Sequence, residues 1–206
     1  MELIVISSPA ELEAEAPLIN RLFEAGMQLF HLRKPGLPLA RYRDMLAGID
    51  AAFHDRVALH QHHELGDAFG IRRLHLPELR RREFDANGYP SLYGDKYLST
   101  SVHCRKDLGA MSRFEYVFYG PLFDSLSKPG YRGIGSSNIV IQTAEAPGVE
   151  AVQPRLIALG GISADKLGDV QMMGFDGIAV LGAVWNEPAR SLDNFNQLKW
   201  ETDLIH

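Results

Sequence analysis

The sequence predicts an α/β fold, a (β/α)8 TIM barrel that forms one compact domain over residues 1–206. Short apolar runs rich in β-branched residues alternate with amphipathic segments, a pattern typical of parallel strands joined by helices. Eight such runs occur, whereas an open doubly wound sheet needs only about five or six strands. Because barrels of this kind usually have about 250 residues, the chain is short for one, and a flavodoxin-like sheet is the structural alternative.

The eight predicted strands are residues 3–7, 29–33, 57–60, 74–76, 97–102, 116–123, 156–160 and 177–184. Several of these runs are apolar on both faces, as expected where helices cover one face and a core lies on the other. Helices are predicted over 18–25 and 42–53, because both segments have apolar residues at helical spacing. The region 135–153 is the least regular, since Ile139-Val140-Ile141 resembles a strand where the alternation requires a helix.

The composition is that of an ordinary globular protein, with 46% hydrophobic residues and a formal net charge of -5. The acidic balance argues against nucleic acid as a partner, and no apolar run approaches the roughly 20 residues of a membrane span. The N-terminal residues show no secretory signal, and the single cysteine, Cys104, cannot form an internal disulfide. We therefore expect a cytoplasmic monomer or homodimer that acts on small molecules.

Glycines follow or end the seventh and eighth predicted strands, at the end of a barrel where ligands bind. Gly160 and Gly161 precede Ser163, which can cap a helix, and Gly182 with Ala183 lies in the eighth run. Backbone N–H groups at glycines and at helix N-termini can approach a phosphate closely. The pattern predicts a phosphate site, and the alternative is two tight turns that need glycine for backbone reasons.

The loop after the sixth predicted strand carries Ser125, Ser127 and Lys128 between Gly120-Pro121 and Pro129-Gly130. Two hydroxyls and an ammonium can bind a diphosphate through charge-assisted hydrogen bonds. The alternative is a solvated surface turn.

Arg33 and His31 lie two positions apart at the end of the second predicted strand, so they share one face. Inside the mouth of a barrel, the planar guanidinium of Arg33 would bind a phosphate through two parallel hydrogen bonds. The alternative for Arg33 is a surface charge.

Most of the other histidines fit structural roles. His75 and His103 lie in or directly after apolar strands, where a hydrogen-bonded core residue is more common than a catalyst. His62 and His63 are consecutive and cannot share a helix face, so the sequence does not favour a zinc site. His60, at the end of the third predicted strand, is expected to line the pocket.

Segments at several predicted strand ends carry a family resemblance. They are His31-Leu32-Arg33-Lys34, Leu74-His75-Leu76, Ser101-Val102-His103, Gly120-Pro121-Leu122-Phe123 with Ser125-Leu126-Ser127-Lys128, Ala158-Leu159-Gly160-Gly161-Ile162, and 180–184. In this order they resemble the thiamine phosphate synthase family, which includes the thiazole tautomerase branch. The Gly-Pro-hydrophobic-Phe segment is the most specific part of the resemblance.

The resemblance implies a transferase of thiamine biosynthesis that uses Mg²⁺. It would join 4-amino-2-methyl-5-hydroxymethylpyrimidine diphosphate to a thiazole phosphate, giving thiamine monophosphate and pyrophosphate. The implied diphosphate ligands are Arg33, Ser101, Ser125, Ser127 and Lys128. The implied thiazole-phosphate ligands are Gly160, Gly161, Gly182 and Ala183. The residues expected to take part in catalysis are Arg33, Lys128 and His31.

The chain departs from the family pattern at the metal. The two magnesium-binding aspartates of the family fall at Gln61 and at about Arg80. Glu78 and Glu64 are the nearest carboxylates and are the candidate metal ligands. The family's glutamine at the end of the second strand is His31 here.

Three functions are compatible with this pattern. The first is a divergent synthase that retains its metal through Glu78 or Glu64. The second is a metal-independent isomerase similar to the thiazole tautomerases, with His31 as general acid and base because histidine titrates near neutral pH. The third is a non-catalytic protein that binds a thiazole or a phosphate.

Overall fold

The structure, a computed structural model, describes residues 1–124 and 153–205. Its strands form a closed barrel in which each strand is parallel to its neighbours. The strands are β1 (Glu2–Ile6), β2 (Leu29–Leu32), β3 (Val57–Leu59), β4 (Arg73–Leu76), β5 (Tyr97–Val102), β6 (Tyr116–Tyr119), β7 (Arg155–Leu159) and β8 (Gly177–Val180). The ring closes at β1, where Ile4 lies opposite both Leu29 of β2 and Ala179 of β8. The predicted (β/α)8 barrel is confirmed, and the flavodoxin-like alternative is wrong.

Helices lie between the strands along the chain. The α-helices are α1 (Glu15–Glu24), α2 (Leu39–Gly48), α3 (Leu65–Phe69), α4 (Glu78–Asn87), α5 (Leu167–Met172), α6 (Gly182–Trp185) and α7 (Ser191–Leu204). The short 3-10 helices are Ala51–Arg56, Ser91–Tyr93, Arg105–Ala110, Ala164–Lys166 and Pro188–Arg190. Within the described ranges, no helix is long and apolar enough to cross a membrane.

Strand alternation separates two apolar layers. Inward residues such as Ile4, Phe118 and Ile157 fill the barrel interior, while outward residues such as Val5 and Phe30 belong to the larger core that includes the helices. Each fully buried side chain of this type contributes about 1.5–3 kcal/mol. Several inward residues of β2 to β6 are polar instead, so this part of the barrel interior is hydrogen-bonded and not purely apolar.

The helix predicted over 42–53 is two elements in the structure. Helix α2 ends at Gly48, where an added Cβ would lie 2.8 Å from the Ala16 Cβ of α1. A separate 3-10 turn then begins, because the Asp50 carboxylate accepts a hydrogen bond from the Ala52 N–H at 2.9 Å. The prediction located the helix but missed this break.

Two predicted strands are shorter than expected. The strand predicted over 116–123 ends at Tyr119, and the strand predicted over 177–184 ends at Val180, shortly before α6 begins. Nearly all of the irregular region 135–153 lies outside the described residues.

Candidate functional site

The C-terminal ends of the strands surround one opening, which we call the barrel mouth. Arg33 follows β2, His60 follows β3, and Ser101 lies near the end of β5. Gly160 follows β7, and Gly182 begins α6 after β8. Parallel strands all end on the same side, so the described residues predicted to bind phosphate groups lie at one end of the molecule.

The backbone of Arg33 is fixed to β1 at the barrel mouth. Its N–H donates to the Ser7 hydroxyl at 2.8 Å, and this hydroxyl donates to the Arg33 carbonyl at 2.9 Å. The Arg33 guanidinium has no hydrogen bond or ion pair in the described part of the chain. It lies close enough to His60 and His75 to lower the pKa of both. A half-buried guanidinium that no described residue pairs with is suited to an anionic ligand.

Lys34 has a different environment from Arg33. Its Nζ donates to Glu15 Oε2 at 2.6 Å and to the Ala10 carbonyl at 2.7 Å, and the Lys34 and Glu15 side chains are both almost fully buried. Burial raises the pKa of Glu15, against the opposing effect of the hydrogen bond from Lys34. Lys34 therefore joins α1 to the segment after β2 and is not available to a ligand.

His31 lies inside the barrel and is fully buried. Its Nδ1 is 2.8 Å from His60 Nε2, and its Nε2 is 2.6 Å from the Tyr116 hydroxyl. The inward direction of His31 agrees with the strand alternation in the sequence. Both ring nitrogens are engaged, so His31 has no free nitrogen for direct contact with a substrate.

His75 continues the polar contacts on the other side of Tyr116. Its Nδ1 is 2.9 Å from Ser99 Oγ, and its Nε2 is 3.0 Å from Ser101 Oγ. Ser99 also lies opposite Tyr116 of the neighbouring strand β6. These residues form two hydrogen-bonded groups. We call the six residues together the interior polar chain: His60, His31, Tyr116, Ser99, His75 and Ser101.

The interior polar chain is uncharged at neutral pH. Burial lowers the pKa of His31 and of His60 well below the usual value, and the nearby His75 lowers both further. Burial lowers the pKa of His75 to about 3 and raises the pKa of Tyr116. Neutral imidazoles and hydroxyls can each donate one hydrogen bond and accept another.

The three histidines of the interior polar chain offer nitrogens within 4.8 Å of one another, a spacing compatible with a cation. Their orientation favours hydrogen bonding instead. The His60 and His75 rings stack at 4.1 Å with 21° between their planes, so their lone pairs lie in nearly parallel, separate planes, which does not favour their meeting at one cation. Both nitrogens of His75 also contact serine hydroxyls.

A cavity of about 350 Å³ opens between the segments that follow β3 and β4. Its lining includes His60, His63, Glu64, Arg80 and Tyr93. His63 Nδ1 is 3.0 Å from the Tyr93 hydroxyl, whereas the buried His63 Nε2 has no partner in the described ranges. Burial lowers the pKa of His63 to about 4. Because His60 lines this cavity, one end of the interior polar chain reaches it.

The two carboxylates expected to hold a metal ion have other surroundings. Glu78 Oε1 accepts two hydrogen bonds from Arg82, at 2.6 and 3.0 Å, and Glu78 Oε2 lies 3.7 Å from His103 Nε2. The Glu64 side chain is largely exposed, 3.5 Å from His62 Nδ1. Mg²⁺ in proteins usually needs one or two carboxylates free to coordinate it. The Glu78 carboxylate is paired with Arg82 and does not meet this requirement, whereas Glu64 lies exposed at the cavity and stays a predicted ligand.

Gln61 and Arg80 occupy the positions where the resemblance expects aspartates. Gln61 Oε1 accepts a hydrogen bond from the Lys34 N–H at 2.9 Å. Arg80 lies 3.2 Å from Glu83 and over the Phe84 ring. The wall of the cavity therefore carries a cation where a carboxylate was expected.

Gly160 and Gly161 are required by the backbone. Their φ angles are 100° and 65°, which favour glycine. A Cβ on Gly160 would lie 2.8 Å from Pro121 Cα, and a Cβ on Gly161 would lie 2.5 Å from the Asp124 carbonyl oxygen. The segment after β6 therefore packs directly on this turn. This steric requirement explains the glycine pair without a ligand, and its role with phosphate stays a prediction.

The other predicted phosphate ligands divide into two groups. Ser125, Ser127 and Lys128 lie outside the described residues. Gly182 and Ala183 begin α6 and are partly exposed at the barrel mouth. All five stay predictions.

The sequence analysis missed Ser99 and Tyr116 and gave His75 only a core role. Polar residues at alternate positions of neighbouring strands were the available signal. The register places His75 opposite Ser99, and Ser99 opposite Tyr116. Such a register brings inward side chains into contact but cannot be read from one strand alone.

A family model described as thiamine monophosphate synthase matches residues 3–184, a range that includes nearly all of the barrel. Among curated proteins, a thiamine-phosphate synthase from Anoxybacillus flavithermus is 34% identical over 97 residues. This match covers 44% of the chain and less than half, 41%, of that protein.

Solved structures share the same barrel. A thiamine phosphate pyrophosphorylase from Bacteroides thetaiotaomicron has a TM-score of 0.75 at 24% identity, with all of both chains covered. A thiamine phosphate pyrophosphorylase from Pyrococcus furiosus has a TM-score of 0.75 at 18% identity, covering 99% of this chain and 96% of that chain. At these identities the similarity supports the fold alone.

Proposed function

This chain belongs to the thiamine monophosphate synthase family, and on that premise we propose that it is a synthase. It would join 4-amino-2-methyl-5-hydroxymethylpyrimidine diphosphate to a thiazole phosphate, giving thiamine monophosphate and pyrophosphate. The observation that carries the proposal is the family match over residues 3–184. The curated relative is matched over only 41% of its length, so the activity and substrates are inferred from family membership.

The proposed reaction breaks the bond between the pyrimidine methylene carbon and the diphosphate oxygen. The thiazole nitrogen forms a new bond to that carbon, and the diphosphate leaves with an additional negative charge. Cations already positioned beside the departing oxygen stabilise this charge without reorganisation. Arg33 supports this role, because its guanidinium has no partner among the described residues. Lys128 would act beside it.

The remaining contacts follow from the chemistry of the two substrates. Hydroxyls of Ser101, Ser125 and Ser127 would donate to the diphosphate oxygens. The thiazole phosphate would accept hydrogen bonds from backbone N–H groups. The residues that would supply these groups are Gly160, Gly161, Gly182 and Ala183.

Mg²⁺ is expected from the family, where it would neutralise the departing diphosphate. Glu78 is paired with Arg82 and does not fit as its ligand, whereas Glu64, exposed at the cavity, would be the candidate ligand. The proposal assigns no step to a metal ion. It assigns the stabilisation of the leaving group to Arg33 and Lys128.

The isomerase and binder alternatives have less support. A general acid or base must reach the substrate, whereas His31 is fully buried and both its nitrogens are hydrogen-bonded. The matched relatives are described as synthases and pyrophosphorylases. The synthase reaction is therefore the one to test first.

The test is to mix the purified protein with both substrates and to follow thiamine phosphate by thiochrome fluorescence, with Mg²⁺ and with chelator. We expect product, and we expect Arg33→Ala to lower kcat/KM by about 100-fold. Arg41→Ala is the matched control, because Arg41 is an exposed arginine paired with Glu11. Absence of product in both conditions would overturn the proposal, and equal activity in the two variants would remove Arg33 from it.

A further inference from the structure

We propose that His75 is a positioning residue, which directs the O–H of Ser101 towards the barrel mouth as a fixed hydrogen-bond donor for an anionic oxygen. Ser99 completes the arrangement by donating to the other nitrogen of the His75 ring. The identity of the anion, a diphosphate, rests on the proposed function. The direction of the hydrogen bonds rests on the contacts and the burial of these three residues.

His75 lies between two serines of the neighbouring strand. Its Nδ1 is 2.9 Å from Ser99 Oγ, and its Nε2 is 3.0 Å from Ser101 Oγ. The register explains this placement, because His75 lies opposite Ser99, and Ser101 is two positions further along β5 on the same face. Both ring nitrogens are therefore bonded within this group, and His75 reaches the barrel mouth through the Ser101 hydroxyl.

Neighbouring aromatic rings hold the His75 ring in place. The His60 ring stacks on it at 4.1 Å with 21° between the planes, and the Phe118 ring stacks on it at 5.0 Å with 30° between the planes. His75 is 1% exposed. Packing of this kind keeps the ring in the orientation that places one nitrogen on each serine.

Two arrangements of the protons are compatible with these contacts. Burial lowers the pKa of His75 to about 3, and a neutral imidazole has one N–H and one lone pair, so His75 donates to one serine and accepts from the other. In the first arrangement, Ser99 donates to Nδ1, and Nε2–H donates to Ser101. In the second, Ser101 donates to Nε2, and Nδ1–H donates to Ser99.

Burial selects the first arrangement. The serine that accepts from His75 keeps an O–H that is not used within the group, and this serine is Ser101 in the first arrangement and Ser99 in the second. Ser99 is 1% exposed, and in the described part of the chain the hydrogen-bond partner of its hydroxyl is His75. An unused O–H is costly at such a buried position. Ser101 is partly exposed, so its O–H can donate to water or to a ligand.

The first arrangement suits an anionic ligand. Deprotonated phosphate oxygens accept hydrogen bonds and do not donate them, so they need donors at the barrel mouth. The Ser101 O–H is such a donor, and the hydrogen bond that Ser101 accepts from His75 strengthens it. In the second arrangement the lone pairs of Ser101 would face the anion and repel it. His75 therefore makes this position specific for a hydrogen-bond acceptor.

The direction of the hydrogen bonds is tested on the unmodified protein without substrate. The ¹⁵N chemical shifts of a histidine ring report which nitrogen carries the proton, and the His75 signals are identified by their loss in His75→Gln. We expect the proton of His75 on Nε2 at pH 7, and we expect it to stay there when inorganic pyrophosphate is added. A proton on Nδ1 in either condition would overturn the proposal.

Ser99→Ala removes the donor to His75 Nδ1. Thr100→Val is its matched control, because Thr100 is a buried neighbour whose hydroxyl donates to the Leu76 carbonyl at 2.7 Å. We expect Ser99→Ala to change the ¹⁵N shift of His75 Nδ1 and Thr100→Val to leave it unchanged. An equal change in the two variants would contradict the role of Ser99.

Pyrophosphate binding, measured by isothermal titration calorimetry, tests whether His75 acts through Ser101. We expect Ser101→Ala to raise Kd by about 10-fold, because a hydrogen bond to a charged group is lost, and His75→Leu to raise it by about 3-fold. In the Ser101→Ala background, His75→Leu should cause no further loss. Equal losses in both backgrounds would overturn the proposal.

Two further variants control for the loss of a buried histidine. His54→Leu should leave Kd unchanged, because the His54 ring nitrogens lie 2.9 Å from the Phe69 carbonyl and 3.0 Å from the Ile49 carbonyl, before β3. His75→Gln keeps an amide N–H that can donate to Ser101, so it should bind pyrophosphate more tightly than His75→Leu. Equal losses in His54→Leu and His75→Leu would contradict the positioning role.

These measurements separate the positioning role from the proposed function. Pyrophosphate binding with the proton of His75 on Nε2, but without formation of thiamine phosphate, would refute the synthase and support the positioning role. Formation of thiamine phosphate with the proton on Nδ1 would refute the positioning role and support the synthase. A protein that does not bind pyrophosphate would refute Ser101 as a donor to an anion, and the proposal with it.

Discussion

The N-terminal end of the barrel contains paired charged side chains, whereas the adjacent layer of the interior contains neutral polar side chains. At the N-terminal end, four charged side chains form what we call the basal charge ring: Glu2, Arg73, Glu115 and Arg155. Glu115 pairs with Arg73 at 2.6 Å and with Arg155 at 2.9 Å, and Arg155 pairs with Glu2 at 2.5 Å. Their side chains are between 21% and 42% exposed to solvent.

The interior polar chain lies one layer further into the barrel and carries no charge. Its central members are almost completely buried, and a charge moved from water to such a position costs several kcal/mol. Neutral hydrogen-bonding groups satisfy one another at much lower cost. This barrel therefore uses paired charges where water still reaches and neutral hydrogen bonds where it does not.

The largest expected effect on stability comes from breaking the buried layer. His31→Leu leaves His60 Nε2 and the Tyr116 hydroxyl without their partners, so we expect a loss of about 3 kcal/mol in the free energy of unfolding. Urea unfolding at pH 7 measures it. The double variant His31→Leu with Tyr116→Phe should lose less than the sum of the two single changes, because one orphaned hydroxyl is gone. Strict additivity would contradict the described hydrogen bond.

A smaller loss in the free energy of unfolding is expected when the pH is lowered. The pKa of His75 is about 3 in the folded state against 6.5 for an ordinary histidine, so the unfolded chain binds the proton more tightly. Stability from this group is complete above pH 6.5 and falls as the pH drops towards 3, by about 2 kcal/mol between pH 7 and pH 5.

The variant that isolates this contribution is His75→Asn, which cannot titrate. Urea unfolding at pH 7 and at pH 5 should show a loss for His75→Asn that is about 2 kcal/mol smaller than for the unmodified protein. His31, His60 and His63 would still contribute to the loss in both proteins. An identical loss in both would show that His75 is not held neutral by its surroundings.

The smallest effect is expected in the basal charge ring. Glu115→Gln weakens two ion pairs, but their partial exposure screens them, so we expect about 1 kcal/mol or less at low salt. In about 1 M NaCl the difference from the unmodified protein should nearly vanish, because salt screens exposed charges. The His31→Leu effect should persist at the same salt concentration. A salt-independent loss in Glu115→Gln would mean that the two layers do not differ as described.

The architecture and one face of the site could be predicted from the sequence alone. Alternating apolar runs and amphipathic segments predict a parallel sheet covered by helices, and the count of eight runs favours the closed barrel over an open sheet of about five or six strands. Alternation also assigned His31 and Arg33 to the same face. The ends of helices were predicted less accurately. The break after Gly48 is an example, because it depends on a side-chain cap and on a close contact between two helices.

Which polar groups meet follows from the folded barrel and could not be predicted from the sequence. His31 contacts Tyr116, 85 positions away in the chain and on a strand across the barrel. Glu78 is a candidate metal ligand from its position in the sequence. In the structure its carboxylate accepts a hydrogen bond from Arg82 and lies near His103. Periodicity specifies the face of a strand to which a side chain belongs. The partner on that face depends on register and on the closure of the ring, which bring together residues that no local pattern connects.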